Sequence, residues 1–283
     1  MSFADIYQQV TKQITDQIAQ GVIPWHKAWK GIASGHMPQN LVSSKAYSGI
    51  NVFILLTTPS SSPYWLTYKQ AADQGGHVRK GEHGAVIVYW DFVPDREDPE
   101  RRIPFLKKHT VFNVEQCEGI TAPAAPAEPA PGFNPIDKAE QILAAVPNPP
   151  KLYHDGGDRA FYSPSLDEIH LPQREMFDTP SDYYDTAFHE FAHATGHPSR
   201  LSRPELGKKD EPYSREELVA ELTAALVGGV AGLDPVIRKN NAAYISEWLT
   251  TLKHDPKAFV TAAGKAQKAA NYLLNVQTSS EEL

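Results

Sequence analysis

His189-Glu190-Phe191-Ala192-His193 sets two imidazoles four residues apart, with a carboxylate directly after the first. On an α-helix, positions i and i+4 share one face, so both rings can reach one metal ion. Zinc takes imidazole nitrogen readily and favours a near-tetrahedral ligand set. The glutamate can point into the same site and take a proton from a water held there. The flanking residues supply the helix. Thr179-Pro180-Ser181-Asp182 reads as an N-cap threonine, a proline at the first helical position and an acid in the first turn. Tyr183, Tyr184, Ala187, Phe188, Phe191 and Ala192 form an apolar stripe, and Gly196 and Pro198 close the segment. The spacing predicts a helix over about 180–195, roughly four turns, with the motif near its C-terminal end. Were that helix solvated, the same residues would be two surface histidines and an exposed acid.

A catalytic zinc takes a third protein ligand and keeps one position open. His197 lies beyond Gly196 and does not continue the His189/His193 row. The metzincin spacing wants a histidine at 199, where the chain has Ser199, so that subclass is excluded. The next helix, predicted around Ser214 to Leu222, offers Glu217, 24 positions after His193. Glu217 and Glu221 are themselves i, i+4, so one can bind metal while the other orients a ligand histidine. Ser214-x-x-Glu217 also reads as a capping box, which would tie Glu217 to its own helix and leave Glu221 as the ligand. Glu217 is the preferred third ligand and Glu221 the alternative.

The chain has 283 residues, room for two modest domains, and its 41% hydrophobic and 22% charged content is that of a globular protein. No apolar run reaches the length of a membrane span, and the N-terminus lacks a signal peptide, so no membrane partner is expected. The lone Cys117 allows no intramolecular disulfide and fits a reducing, cytoplasmic setting. The net charge of −7 is unevenly spread. Residues 1–118 hold 12 Lys and Arg against 11 Asp and Glu, whereas residues 119–283 hold 15 against 23. An acidic second half repels DNA, so any DNA contact belongs to the first.

A Pro/Ala-rich run, Gly119 to Pro135, separates the halves and reads as a semi-stiff spacer. The expected fold class is α+β: a small α+β domain over 1–118, a linker over 119–135, and a mainly helical domain with a small sheet over 136–283. In the first half, Ile6, Val10, Ile14 and Ile18 mark an amphipathic helix stopped by Gly21 and Pro24. Trp25 and Trp29, interleaved with Lys27 and Lys30, could stack on bases while the lysines meet phosphates, or simply cap a small core. A helix from Gly49-Ile50-Asn51 to Leu56, a short helix over Thr67–Ala72, a base-bearing turn over 77–84, and strands over 85–92 and from Lys107 follow. Asp95 to Arg102 reads as a charged hairpin loop. In the second half a helix is expected near 135–146. A hairpin or bent strand is expected over 160–172, its exposed edge free to pair with an extended peptide. Two further helices are expected over 242–252 and 258–274.

Taken together, several segments make the chain resemble the ArdC antirestriction family, whose members are carried by conjugative plasmids. They are Pro24-Trp25, Tyr47-Ser48-Gly49-Ile50-Asn51, Trp65 to Gln70, Gly75 to Glu82 and Val111 to Gln116 in the first half. In the second they are Phe161 to Pro164, His189 to Arg203 and Glu216 to Glu221. The resemblance implies an N-terminal domain that binds single-stranded DNA, with Trp25, Lys27, Tyr47, Asn51, Lys69, Arg79 and Lys80 as candidate contacts. It implies a C-terminal zincin-like, gluzincin-type metallopeptidase with His189, His193 and Glu217 on one Zn²⁺ (Mn²⁺ or Co²⁺ as substitutes) and Glu190 as base. It further implies a plasmid-encoded, cytoplasmic protein, acting in the recipient cell, that shields incoming single-stranded DNA from host restriction. DNA-bound or restriction-related proteins are the candidate peptidase substrates. Ala28 stands where a second Pro-Trp pair is expected, which weakens Trp29 as a contact. Tyr213, beside the ligand helix, is the candidate stabiliser of the oxyanion. Two other readings are a non-proteolytic DNA-masking protein with a structural or vestigial metal site, and a secreted effector metalloprotease.

Overall fold

The computed structural model describes residues 37–58, 60–94, 102–123, 135–155, 157–204, 211–233 and 241–276, with isolated positions over 8–20 and at 206. Trp25, Lys27, Trp29, most of the Pro/Ala-rich run and the tip of the 95–101 loop lie outside the described residues.

The first half is built on β1 (Gln39–Asn40), α1 (Ile50–Leu56), β2 (Tyr64–Thr67), α2 (Tyr68–Asp73), β3 (His77–Val78), β4 (Ala85–Pro94), β5 (Arg102–Asn113) and β6 (Cys117–Glu118). A four-stranded sheet runs β1-β2-β5-β4, and β3 pairs with β6 in a separate two-stranded sheet. Each element follows from its sequence. The apolar run Ile50–Leu56 buries nearly its whole circumference, Gly49 at φ +56° supplying the left-handed residue before it. Thr67 caps α2, its hydroxyl accepting from the Gln70 N–H (3.2 Å) while Gln70 Oε1 accepts from the Thr67 N–H (2.8 Å). The expected strands and short helices are found, with the β4–β5 ladder running longer than the apolar pattern alone predicts.

The second half begins with α3 (Pro135–Ala145), followed by β7 (Lys151–Tyr153), β8 (Phe161–Ser163) and β9 (Glu168–His170). Four helices complete it: α4 (Pro180–Thr195), α5 (Glu211–Ala231), α6 (Asn241–His254) and α7 (Ala258–Leu273). β8 and β9 form the expected hairpin, but β7 pairs parallel to β9 on its other side, giving the order β7-β9-β8. The strand immediately before α4 is therefore the centre of its sheet, and the edges available to an extended peptide are β7 and β8. That long-range pairing leaves no local signal in the sequence.

α5 packs against both α4 and α7, and its run Leu218, Val219, Leu222, Leu226 and Val227 lies in the core. That core crosses between the halves: the Phe53 and Phe259 rings meet edge to face at 6.1 Å, an arrangement worth roughly 0.5–1.5 kcal/mol beyond the area it buries. Ile14 and Ile18, the described members of the first amphipathic stripe, join the same core. The Gly49 N–H donates to Gln267 Oε1 (3.1 Å) and the Thr11 hydroxyl to the Pro256 carbonyl (2.6 Å). Among the described residues no helix is long and apolar enough to cross a membrane.

Candidate metal centre

α4 forms where the capping residues place it. Thr179 Oγ1 accepts from the Asp182 N–H (3.2 Å), Asp182 Oδ2 accepts from the Thr179 N–H (2.9 Å), and Pro180 opens the first turn. Its apolar stripe turns inward, which carries His189 and Glu190 into the interior, 5% and 7% exposed. A solvated surface pair is excluded. Gly196 ends the helix in an ordinary right-handed conformation (φ −75°). Its value is space, since a Cβ there would sit 3.0 Å from Arg203 Nη2.

The Nε2 atoms of His189 and His193 lie 3.1 Å apart. Glu217 completes the triangle, Oε2 at 3.4 Å from His189 Nε2 and Oε1 at 3.2 Å from His193 Nε2. Ligands about 2.0–2.1 Å from a tetrahedral zinc stand about 3.3 Å from one another, so these spacings fit one ion. His189, His193 and Glu217 form the single group of this kind among the described residues.

The two carboxylates face different ring atoms. Glu217 faces the Nε2 side of both rings, whereas Glu221 Oε1 faces His189 Nδ1 at 3.5 Å. α5 starts at Glu211, so Ser214 lies inside the helix and the capping-box reading of Glu217 fails. Tyr213 lies in the first turn of α5, and its side chain falls outside the described residues. His197 turns away, its Nδ1 2.8 Å from Ser199 Oγ.

Two residues the sequence reading passed over support His193. Glu216 Oε1 sits 3.4 Å from His193 Nδ1. Arg203 grips that carboxylate twice, Nη2 to Oε1 at 2.5 Å and Nε to Oε2 at 2.9 Å, and donates to Thr195 Oγ1 (2.6 Å) and the Ala192 carbonyl (2.7 Å). The buried guanidinium thus ties α5 to the last turn of α4 and fixes the ring that presents Nε2. The available signal was Glu216 one residue before Glu217, since a ligand imidazole needs a partner for its second nitrogen.

Charge is balanced inside this site. For His193, burial opposes the charged ring, but hydrogen bonds to Glu216 and Glu217 and the charges of Glu217 and Glu190 outweigh it and raise the pKa to about 10. For Glu217, burial favours the neutral acid, and the hydrogen bonds and charges of His189 and His193 overcome it, holding the carboxyl well below its ordinary range.

Among the described residues, the candidate DNA contacts do not converge in this way. Asn51 is a structural clamp: its Nδ2 donates to the Val88 carbonyl (2.6 Å) and its Oδ1 accepts from the Val88 N–H (2.8 Å). Through these two bonds the amide anchors the outer edge of β4. Tyr47 is half-buried against the core; its hydroxyl accepts from Asn40 Nδ2 (3.3 Å), and burial raises its pKa. Arg79 is paired with Glu82 at 2.7 Å. Lys69 and Lys80 are exposed.

Comparison with known proteins agrees with this geometry. Residues 4–112 match the family model for the N-terminal domain of anti-restriction factor ArdC, and residues 137–265 that for a zincin-like metallopeptidase. The crystal structure of the antirestriction ArdC protein from plasmid R388, Mn(II)-bound, is similar with a TM-score of 0.78 and 35% identity, covering 95% of this chain and 97% of that one. The chain belongs to the ArdC antirestriction family. The metal-free R388 structure matches equally, at TM-score 0.78 over all of that chain. An uncharacterized protein of Sinorhizobium fredii, y4eC, is 34% identical over 98% of this ArdC-family chain and 94% of its own length. A DNA primase TraC of Escherichia coli is 36% identical over 95% of the chain, which spans only 27% of that relative's length. The layout is therefore two domains of an α+β protein, an ArdC N-terminal domain followed by a zincin-like one, and the solved relative carries a divalent metal.

Proposed function

We propose that this ArdC-family protein binds single-stranded DNA through its first half and carries a zinc-dependent peptidase centre in its second. Together they would protect incoming plasmid DNA from restriction in the recipient cytoplasm. The observation that carries the peptidase reading is the convergence of His189, His193 and Glu217, with Glu190 set on the same helix between the two histidines.

His189 Nε2, His193 Nε2 and a Glu217 oxygen would hold the ion. A bound zinc would supply Lewis acidity, making water a nucleophile near neutral pH and polarising a scissile carbonyl. Glu190, alone of the buried acids on α4 directly beside a ligand histidine, takes the proton of the attacking water and delivers it to the leaving amine. Glu216 with Arg203 holds the His193 ring, and Glu221 faces the outer nitrogen of His189. Tyr213 remains the proposed oxyanion donor. The domain boundaries 1–118, 119–135 and 136–283 are proposed to separate the two activities, and DNA-bound or restriction-related proteins are the proposed substrates.

The test is paired. Glu190→Gln should retain metal and lose cleavage of a peptide mixture read by mass spectrometry; cleavage at the wild-type rate overturns the mechanism. Plasmid transfer into a restricting host should then fail with Glu190→Ala if protection needs proteolysis. Protection that survives would assign the phenotype to DNA masking alone.

A further inference from the structure

The β4–β5 ribbon carries a surface that none of the candidate contacts includes. β4 and β5 pair through ten rungs, Ala85↔Val111 to Pro94↔Arg102. β2 covers the other side of β5 only from Val111 to Asn113. Over 102–110, no described strand pairs with that side of β5. Lys107, Lys108, His109 and Thr110 are exposed in succession, so both faces of the strand are open to solvent there. Tyr89, opposite Lys107 and therefore on the same face, is 57% exposed. No acid occurs in 85–89 or 107–113.

We propose that this basic ribbon, with Tyr89 as a stacking surface and Lys107, Lys108 and His109 along the strand, is where single-stranded DNA lies. The inference rests on the DNA reading given above and specifies its location. Charge supports it: the flanking strand segment is purely basic in a chain of net charge −7. Lys107 and His109 lie two residues apart on one face, about 6.6 Å, close to the step between phosphates of an extended strand. A single strand offers unstacked bases to the Tyr89 ring, whereas a duplex hides their faces. The array is held ready by two anchors at its root, the Asn51 clamp on Val88 and the β2–β5 pairing. Lysines beside an open strand edge also discourage pairing with other chains, and that competing role binds no DNA.

The experiment is fluorescence anisotropy of a labelled oligodeoxythymidylate with the full-length protein across a salt series. The variants are Lys107→Gln/Lys108→Gln, Tyr89→Ser, and a charge-matched control, Lys253→Gln/Lys268→Gln on the helices of the second half. The lysine pair should weaken binding and flatten the log–log salt slope by about 0.7, for the one phosphate met by Lys107 on the Tyr89 face. Tyr89→Ser should weaken binding roughly ten-fold with the slope unchanged. The control should match wild type. Wild-type binding that both ribbon variants retain unaltered overturns the placement and leaves the DNA reading standing. Absence of wild-type binding overturns both and assigns the lysines to edge protection.

Discussion

The candidate metal centre and the proposed nucleic-acid surface solve opposite problems. The first buries five charged or ionisable side chains, His189, Glu190, Glu216, Glu217 and Glu221, with His189 within ion-pair distance of Glu217 and Glu221 and Glu216 bonded to Arg203. The second places Lys107, Lys108 and His109 on the surface beside an exposed ring. A buried ion needs a partner at fixed distance, because an uncompensated charge there is strongly destabilising. The metal centre must therefore be built to about an ångström, and each member constrains the rest. An exposed lysine needs only to be near a phosphate. The two sites should respond to mutation accordingly, one through metal affinity and the other through salt dependence.

The largest difference is expected at Glu216. Glu216→Gln or Arg203→Lys should lower metal affinity by roughly 10–100-fold, as removal of an outer partner of a ligand histidine does. Competition with a chromophoric chelator measures it, and the d–d spectrum of the Co²⁺ form should change shape. An unchanged affinity with a lowered melting temperature would make the pair merely structural. Asn51→Ala tests the other region. It leaves the Val88 N–H and carbonyl without their partner and should destabilise the fold by about 1–3 kcal/mol. DNA affinity per folded molecule should stay the same, and a selective loss of binding would make Asn51 a DNA contact.

The metal centre also has a pH signature that the ribbon lacks. The raised pKa of His193 stabilises the metal-free fold fully below about 6.5, its unfolded value, and that contribution is lost as pH rises toward about 10. The depressed pKa of Glu217 contributes above about 4.3 and is lost as pH falls below it. Metal binding needs neutral imidazoles, so the stabilisation by added Zn²⁺ should grow from pH 6 to pH 9, the smallest of these effects. Differential scanning calorimetry with and without Zn²⁺ reads it, and a metal-induced shift that is flat across that range would contradict the charge balance drawn here.

The contrast extends to what could be read in the chain. His189, Glu190 and His193 were legible because four-residue spacing on a capped helix is local information. Glu217 was already the preferred ligand over Glu221 in the sequence, and the start of α5 at Glu211 and the atoms the carboxylates face support that preference. Arg203 was hidden because its role depends on the space left by Gly196. In the first half the helices and strands announced themselves through caps and apolar runs. The proposed DNA surface did not, since exposure depends on β2 ending where α2 begins, which leaves that side of β5 without a described partner strand over 102–110. The anchoring role of Asn51 was hidden for the same reason: its partner is a backbone 37 residues away. The central position of β9 likewise rests on β7, which arrives from before the hairpin.

The most direct test of the metal centre is calorimetric titration of Zn²⁺ into the metal-free full-length protein, its Glu217→Ala variant and its Glu221→Ala variant. Wild type should bind one ion per chain, Glu221→Ala should bind one more weakly, and Glu217→Ala should lose most of the affinity. Zinc bound with wild-type affinity by Glu217→Ala, and lost on Glu221→Ala, would contradict the site as drawn.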